Sequence, residues 1–282
     1  MKRFLLFICF LSFMQQGITC SCEYPTEISN AFLGSKTVAH GEVVELKITK
    51  VSDSMDPNSL NKFLKNEKLR QHQSELLKSN FLIQVKFKII ELFKGDIKTD
   101  TLILYTTRTG ASCGYTNFEI GKQFIIYSSP TSYFFSSFFS TQKNINLEKA
   151  NSNWVTSCSL TSELREDHLN ALKAIKIAED GINILKKNNL LKKGVKIYTS
   201  VLTKNYEEKY DVHIFEDDKL IDNNESKRYD LILTILSIKG DFAELNFKSF
   251  NDFGFVRIGT ITLSKTKGKW VKESINYITS IE

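Results

Sequence analysis

The cysteines constrain this chain more than any other feature. Cys20-Ser21-Cys22 places two thiols two positions apart on one short extended segment, where they cannot readily bond each other. The other cysteines are Cys113, Cys158 and Cys9. Cys9 lies in a leader: Lys2 and Arg3 precede an apolar run from Phe4 to Met14, which Gln15, Gln16 and Gly17 end. A basic start and a short apolar stretch make a secretory signal, too short to span a bilayer. The best cleavage falls after Thr19, with Gly17 and Thr19 as the small residues read by the peptidase, so residues 1–19 are removed and Cys20 becomes first. Acylation of Cys20 as a lipid anchor is the alternative, although Gly17 and Thr19 fit a lipobox poorly. The expectation is an exported protein, secreted or held in the periplasm or at the cell surface.

Five cysteines less Cys9 leave four, an even number in an exported chain, and the default is disulfides. Two such links would clamp the N-terminal strand, each closure being worth about 4–5 kcal/mol on chain-entropy grounds. A metal site is the other reading of such a set, and an oxidising compartment and the lack of a CxxC spacing argue against it.

Beyond the leader, 263 residues remain (282 − 19), enough for two domains. The charge of +6 is modest, and lysines alternate with Glu and Asp. That describes a solvated surface, and no nucleic-acid partner is expected. Nor is a membrane span, since no later segment offers ~20 apolar residues.

Strand patterning is strong over Lys36–Val51, Phe81–Phe93, Thr101–Tyr105 and Lys122–Tyr127. Ser52–Ser79 reads as an inserted loop with one or two amphipathic helical turns that pack on the fold. Pro130–Ser140, with Tyr133, Phe134, Phe135, Phe138 and Phe139, reads as a folded-over aromatic flap. Glu163–Ala178 has helical spacing, and Asp180–Leu191 looks like a second helix. After Gly194 come four alternating runs, Tyr229–Ile238, Phe242–Phe250, Phe255–Leu263 and Trp270–Ile278, joined by turn residues. A four-stranded antiparallel meander with helices on one face satisfies that pattern.

For catalysis the sequence is poor. His40, His72, His168 and His213 are scattered, and there is no HExxH, GxSxG or glycine-rich phosphate loop. Neither enzymatic activity nor a cofactor is expected.

From Cys20 to about Ala178 the chain resembles the netrin-like N-terminal domain of the tissue inhibitors of metalloproteinases. That domain opens Cys-x-Cys, followed by a proline, an Ala-Phe pair and a strand of Val and small residues. Here stand Cys20-Ser21-Cys22, Pro25, Ala31-Phe32 and Val38-Ala39-His40-Gly41-Glu42-Val43. Further on are Phe93-Lys94-Gly95, Tyr105-Thr106, Cys113-Gly114-Tyr115, then Gly121, the strand Phe124-Ile125-Ile126, and Cys158 before the helix opened by Leu164 and Leu169.

The resemblance implies a mainly β protein: an OB-like five-stranded barrel with flanking helices over 20–162, then a helical connection over 163–193. The rest, 194–282, is a small α+β domain with the antiparallel meander, and its role is unassigned. The resemblance also implies the bridges Cys20–Cys113 and Cys22–Cys158. In such inhibitors the α-amino group and carbonyl of the first cysteine chelate the catalytic zinc of the protease and displace its water. Carried over, Cys20 is the backbone ligand to a partner's zinc and Ser21 enters the specificity pocket. Cys22, Glu23 and Tyr24 continue the wedge, joined by Cys113 and Gly114. The implied partner is a zinc metalloproteinase.

Two features depart from the family. Leu33 stands where its third cysteine should come after Ala31-Phe32, and cysteine-free strands replace its six-cysteine C-terminal domain. Netrin-like modules also occur in proteins that inhibit nothing, so the competing expectation is a binding module of the cell envelope or extracellular space.

Overall fold

A computed structural model describes residues 27–66, 71–78, 80–109, 113–131, 147–190, 195–199, 202, 206, 212–215, 231–250, 255–266 and 269–281. The chain is mainly β and divides into two compact units. One runs from Ser35 to Leu164, and the other joins a short helix, α1 (Ile28–Gly34), to everything from Arg165 onward.

The first unit is built on β1 (Thr37–Lys50), β2 (Asn80–Lys94), β3 (Thr101–Thr107), β4 (Gln123–Pro130) and β5 (Ser152–Trp154). They hydrogen-bond in the order β1-β2-β3-β5-β4, and β4 pairs back onto β1, giving a ring of five strands. All neighbours are antiparallel except β3 and β5. A sixth short strand, β6 (Ser162–Glu163), pairs with the start of β4.

Alternation along the strands dictates the interior. Ala39 and Val43 of β1, Val85 and Phe87 of β2, Leu102 and Leu104 of β3, and Phe124 and Ile126 of β4 belong to one buried cluster. Gly41 falls between the two β1 members because no side chain fits there: a Cβ would meet the Lys88 carbonyl and the ring of Phe87. Lys94-Gly95-Asp96 turns the chain between β2 and β3, and Gly95 takes a φ of +118° that side chains resist.

The insertion between β1 and β2 forms a turn of 3-10 helix (Val51–Ser54), α2 (Pro57–Asn66) and α3 (Gln71–Lys78). It packs as expected, burying Met55, Phe63 and Leu77 against Leu82, Tyr105 and Trp154. The Tyr105 hydroxyl donates to the Asp53 carbonyl at 3.0 Å, as does Lys149 Nζ at 3.0 Å, tying the insertion to β3 and to the segment before β5. Of the aromatic flap, residues 132–140 lie outside the described residues.

In the second unit, β7 (Val195–Tyr198), β8 (Val212–Phe215), β9 (Leu231–Lys239), β10 (Phe242–Phe250), β11 (Phe255–Thr266) and β12 (Lys269–Ile281) form one sheet in the order β12-β11-β10-β9-β7-β8. The expected four-stranded meander is present as β9–β12, but it is extended by two parallel strands, β7 and β8. The two expected helices are one, α4 (Glu166–Lys187). Gly181 lets it approach β10 closely: a Cβ there would lie 3.0 Å from a methyl of Leu245 and 3.8 Å from one of Leu233. Acidic Glu166 and Asp167 open the helix and Lys186 and Lys187 close it, in keeping with its dipole. Helix α1 packs with α4, and the Tyr206 hydroxyl donates to the Ser29 carbonyl at 3.2 Å. Among the described residues no helix is long and apolar enough to cross a membrane.

Candidate functional site

Thr106 and Thr107, at the end of strand β3, anchor the loop that leaves it. The Tyr115 amide donates to Thr106 Oγ1 at 2.8 Å, and Thr107 Oγ1 donates to the Thr109 carbonyl at 3.3 Å. The Gly114 amide returns to the same Thr109 carbonyl at 3.0 Å. Position 114 admits only glycine, because a Cβ would run into the backbone carbonyl of Thr107. Cys113, just before it, holds a left-handed φ of 59°, a conformation that costs a non-glycine residue about 1 kcal/mol or more.

The segment after β5 closes on this loop. Gly114 forms an antiparallel bridge with Thr156, and the Ser157 amide donates to the Cys113 carbonyl at 2.9 Å. Thr156 Oγ1 then accepts from the Cys158 amide at 3.2 Å, and Ser159 Oγ donates to the Thr156 carbonyl at 2.8 Å. The ring thus brings Cys113-Gly114 and Cys158, 45 positions apart (158 − 113), into one hydrogen-bonded patch. Both cysteines are disulfide-bonded, so neither is a free nucleophile or thiolate ligand. The remaining residues of the expected wedge, Cys20, Ser21, Cys22, Glu23 and Tyr24, lie outside the described residues.

Beneath the patch the loop is braced by aromatic rings. Tyr115 and Phe118 meet edge-on at 4.7 Å, Phe118 and Phe124 at 5.1 Å, and Phe118 and Phe124 belong to the ring's core. Burial, and secondarily the Glu163 carboxylate, push the Tyr115 hydroxyl above its usual range. The loop re-enters β4 through a turn at Glu119–Lys122, where Gly121 at φ +83° supplies the left-handed residue of a glycine bulge opposite Val43. Lys122 Nζ lies 3.0 Å from Glu119 and 3.6 Å from Glu163, exposed pairs that contribute little to stability.

The histidines gather no chemistry among the described residues. His40 is buried on β1, with Nε2 3.0 Å from Gln123 Oε1, and His168 is buried on α4 in the other unit. The side chains of His72 and His213 lie outside the described set. Among the described residues no cluster of three or more His, Cys, Asp or Glu side chains could hold a metal ion. The threonines and serines that build the patch, Thr106, Thr107, Thr109, Thr156 and Ser159, escape a sequence reading, since hydroxyl residues beside strands are ordinary and only Cys113-Gly114 flags the place. No family model matches this chain, and no curated protein matches it.

Proposed function

We propose that the protein is an exported inhibitor of a zinc metalloproteinase, acting through the backbone of Cys20 as its mature first residue. The observation that carries this reading is the patch itself. The Cys113-Gly114 loop and Cys158 are hydrogen-bonded together on a five-stranded ring, and both sulfurs are engaged in disulfides. The strand order β1-β2-β3-β5-β4 with a parallel β3–β5 pair supports assignment to the OB-like barrels. Two cysteines one residue apart, Cys20 and Cys22, need two partner sulfurs near each other, and Cys113 and Cys158 meet that need.

On this reading the bridges Cys20–Cys113 and Cys22–Cys158 pin the first strand so that its α-amino group projects rigidly. An α-amino group ordinarily titrates at about pH 8, so a neutral, lone-pair-donating form is accessible, and with the Cys20 carbonyl it chelates the protease's zinc. Ser21 fills the specificity pocket, while Glu23, Tyr24 and Gly114 widen the contact. Preorganisation matters because a strand already fixed loses little conformational entropy on binding.

The test is titration of a panel of zinc endopeptidases with the processed protein and with a form extended by one alanine. Extension removes the primary amine from the metal and should weaken inhibition by about a hundredfold or more. Equal potency of the two forms, or no inhibition by either, would replace this reading with a non-inhibitory netrin-like binding module.

A further inference from the structure

Strand β12 forms one edge of the second sheet, and among the described residues it pairs only with β11. Its five consecutive residues Asn276 to Ser280 are all exposed, so both faces and the free edge are open to solvent there. From Ser274 to Ile281 the strand reads Ser-Ile-Asn-Tyr-Ile-Thr-Ser-Ile, eight residues without a charge, a proline or a glycine. The irregularity in its pairing with β11 falls earlier, between the partners of Thr262 and Leu263, so the last stretch is regular. Edge strands of folded proteins ordinarily carry lysine, proline, a bulge or a cover, because unpaired N–H and C=O groups recruit another strand. This stretch has none of these among the described residues, and Ile278 on it is 68% exposed.

We propose that β12 pairs antiparallel with β12 of a second copy of this chain, about a two-fold axis at Ile278. Symmetry restricts the register. A two-fold axis perpendicular to a continuous sheet leaves each face on its own side, so paired residues must share a face and the axis must pass midway between the two copies of one residue. Centring on Ile278 sets it against Ile278 of the partner subunit, with Asn276 facing Ser280 of the partner subunit. Within one copy Ile258, 44% exposed, lies directly across from Ile278. The seam therefore completes a row of four isoleucines on one face, two from each copy, and removes the exposed pair from water. Centring on Tyr277 would instead leave Ile278 against an asparagine. Because the paired stretch is uncharged, no like charges meet across the seam. A single strand-to-strand seam is small beside standard interfaces, so dimerisation is expected at about 1–100 µM.

Light scattering coupled to size exclusion, run on the full processed protein over that range, reads the equilibrium directly. A concentration-dependent dimer is expected, and Ile278→Lys should raise its dissociation constant by about tenfold or more without altering the circular dichroism or Tm. The register is checked by cysteine substitution. Ile278→Cys should form a covalent dimer on oxidation, since like residues meet at the axis. Asn276→Cys should not, since the two copies of that residue sit about 13 Å apart along the strands, beyond disulfide reach. A protein that stays monomeric throughout, a dimer indifferent to Ile278→Lys, or crosslinking at 276 in preference to 278 would each overturn the proposal.

Discussion

Gly114 and Tyr105 show how single residues set what the first unit can be. At Gly114 there is no room for even one methyl, since a Cβ would collide with the Thr107 backbone carbonyl, which cannot swing aside as a side-chain tip can. Gly114→Ala should therefore cost about 2–4 kcal/mol, read as a lowered midpoint in denaturant, and should loosen the bond from Ser157 to Cys113. Tyr105 predicts a pH effect. Burial, with a smaller contribution from Asp53, pushes its hydroxyl up to about 12 from 10.0, so the folded state holds the proton more tightly than the unfolded one. Stability from this group is complete below pH 10 and declines as pH rises through 12, because the unfolded chain releases its proton first. Tyr127, raised by burial, adds to the same alkaline loss. Tyr105→Phe should flatten that decline in alkaline melts while leaving the Asp53 carbonyl its bond from Lys149. Nothing in the local sequence announces either role. Each depends on groups that folding brings up, the Thr107 carbonyl against Gly114 and the buried surroundings with Asp53 around Tyr105.

At the scale of elements, legibility tracks length. β1 to β4 have seven residues or more, and their period-two patterns are readable because one face is buried in the ring. β5 has three residues and β6 two, too few for any period to register, yet β5 closes the ring. β7 and β8, four residues each, join the second sheet in parallel, an arrangement no local pattern specifies. The insertion is legible as helical turns because its leucines and Phe63 recur at helical spacing. Helix α4 reads as two helices because Asp180-Gly181 interrupts a good helical pattern. In the fold that glycine is a point of close approach to Leu245. The consequence is testable: Gly181→Leu must force the helix off the sheet and should cost about 1–3 kcal/mol, seen as a drop in Tm. An unchanged or raised Tm would mean that helix propensity, not packing, governs the position.

For the whole molecule, the last cysteine is Cys158, so everything from Arg165 onward is held without a disulfide. The part of the candidate site written into the sequence is the cysteine pattern. The hydroxyl network that joins the Cys113 loop to Cys158 is not, because it is made by long-range strand closure. Inhibition through the N-terminus requires Cys20 to be a free first residue stapled beside that loop, and mass spectrometry of the processed protein, intact and after non-reducing digestion, tests this directly. The prediction is a chain beginning at an unmodified Cys20, with one bridge from Cys20 to Cys113 and one from Cys22 to Cys158. An acylated Cys20, extra residues before it, or a bridge joining Cys20 to Cys22 or Cys113 to Cys158 would contradict it.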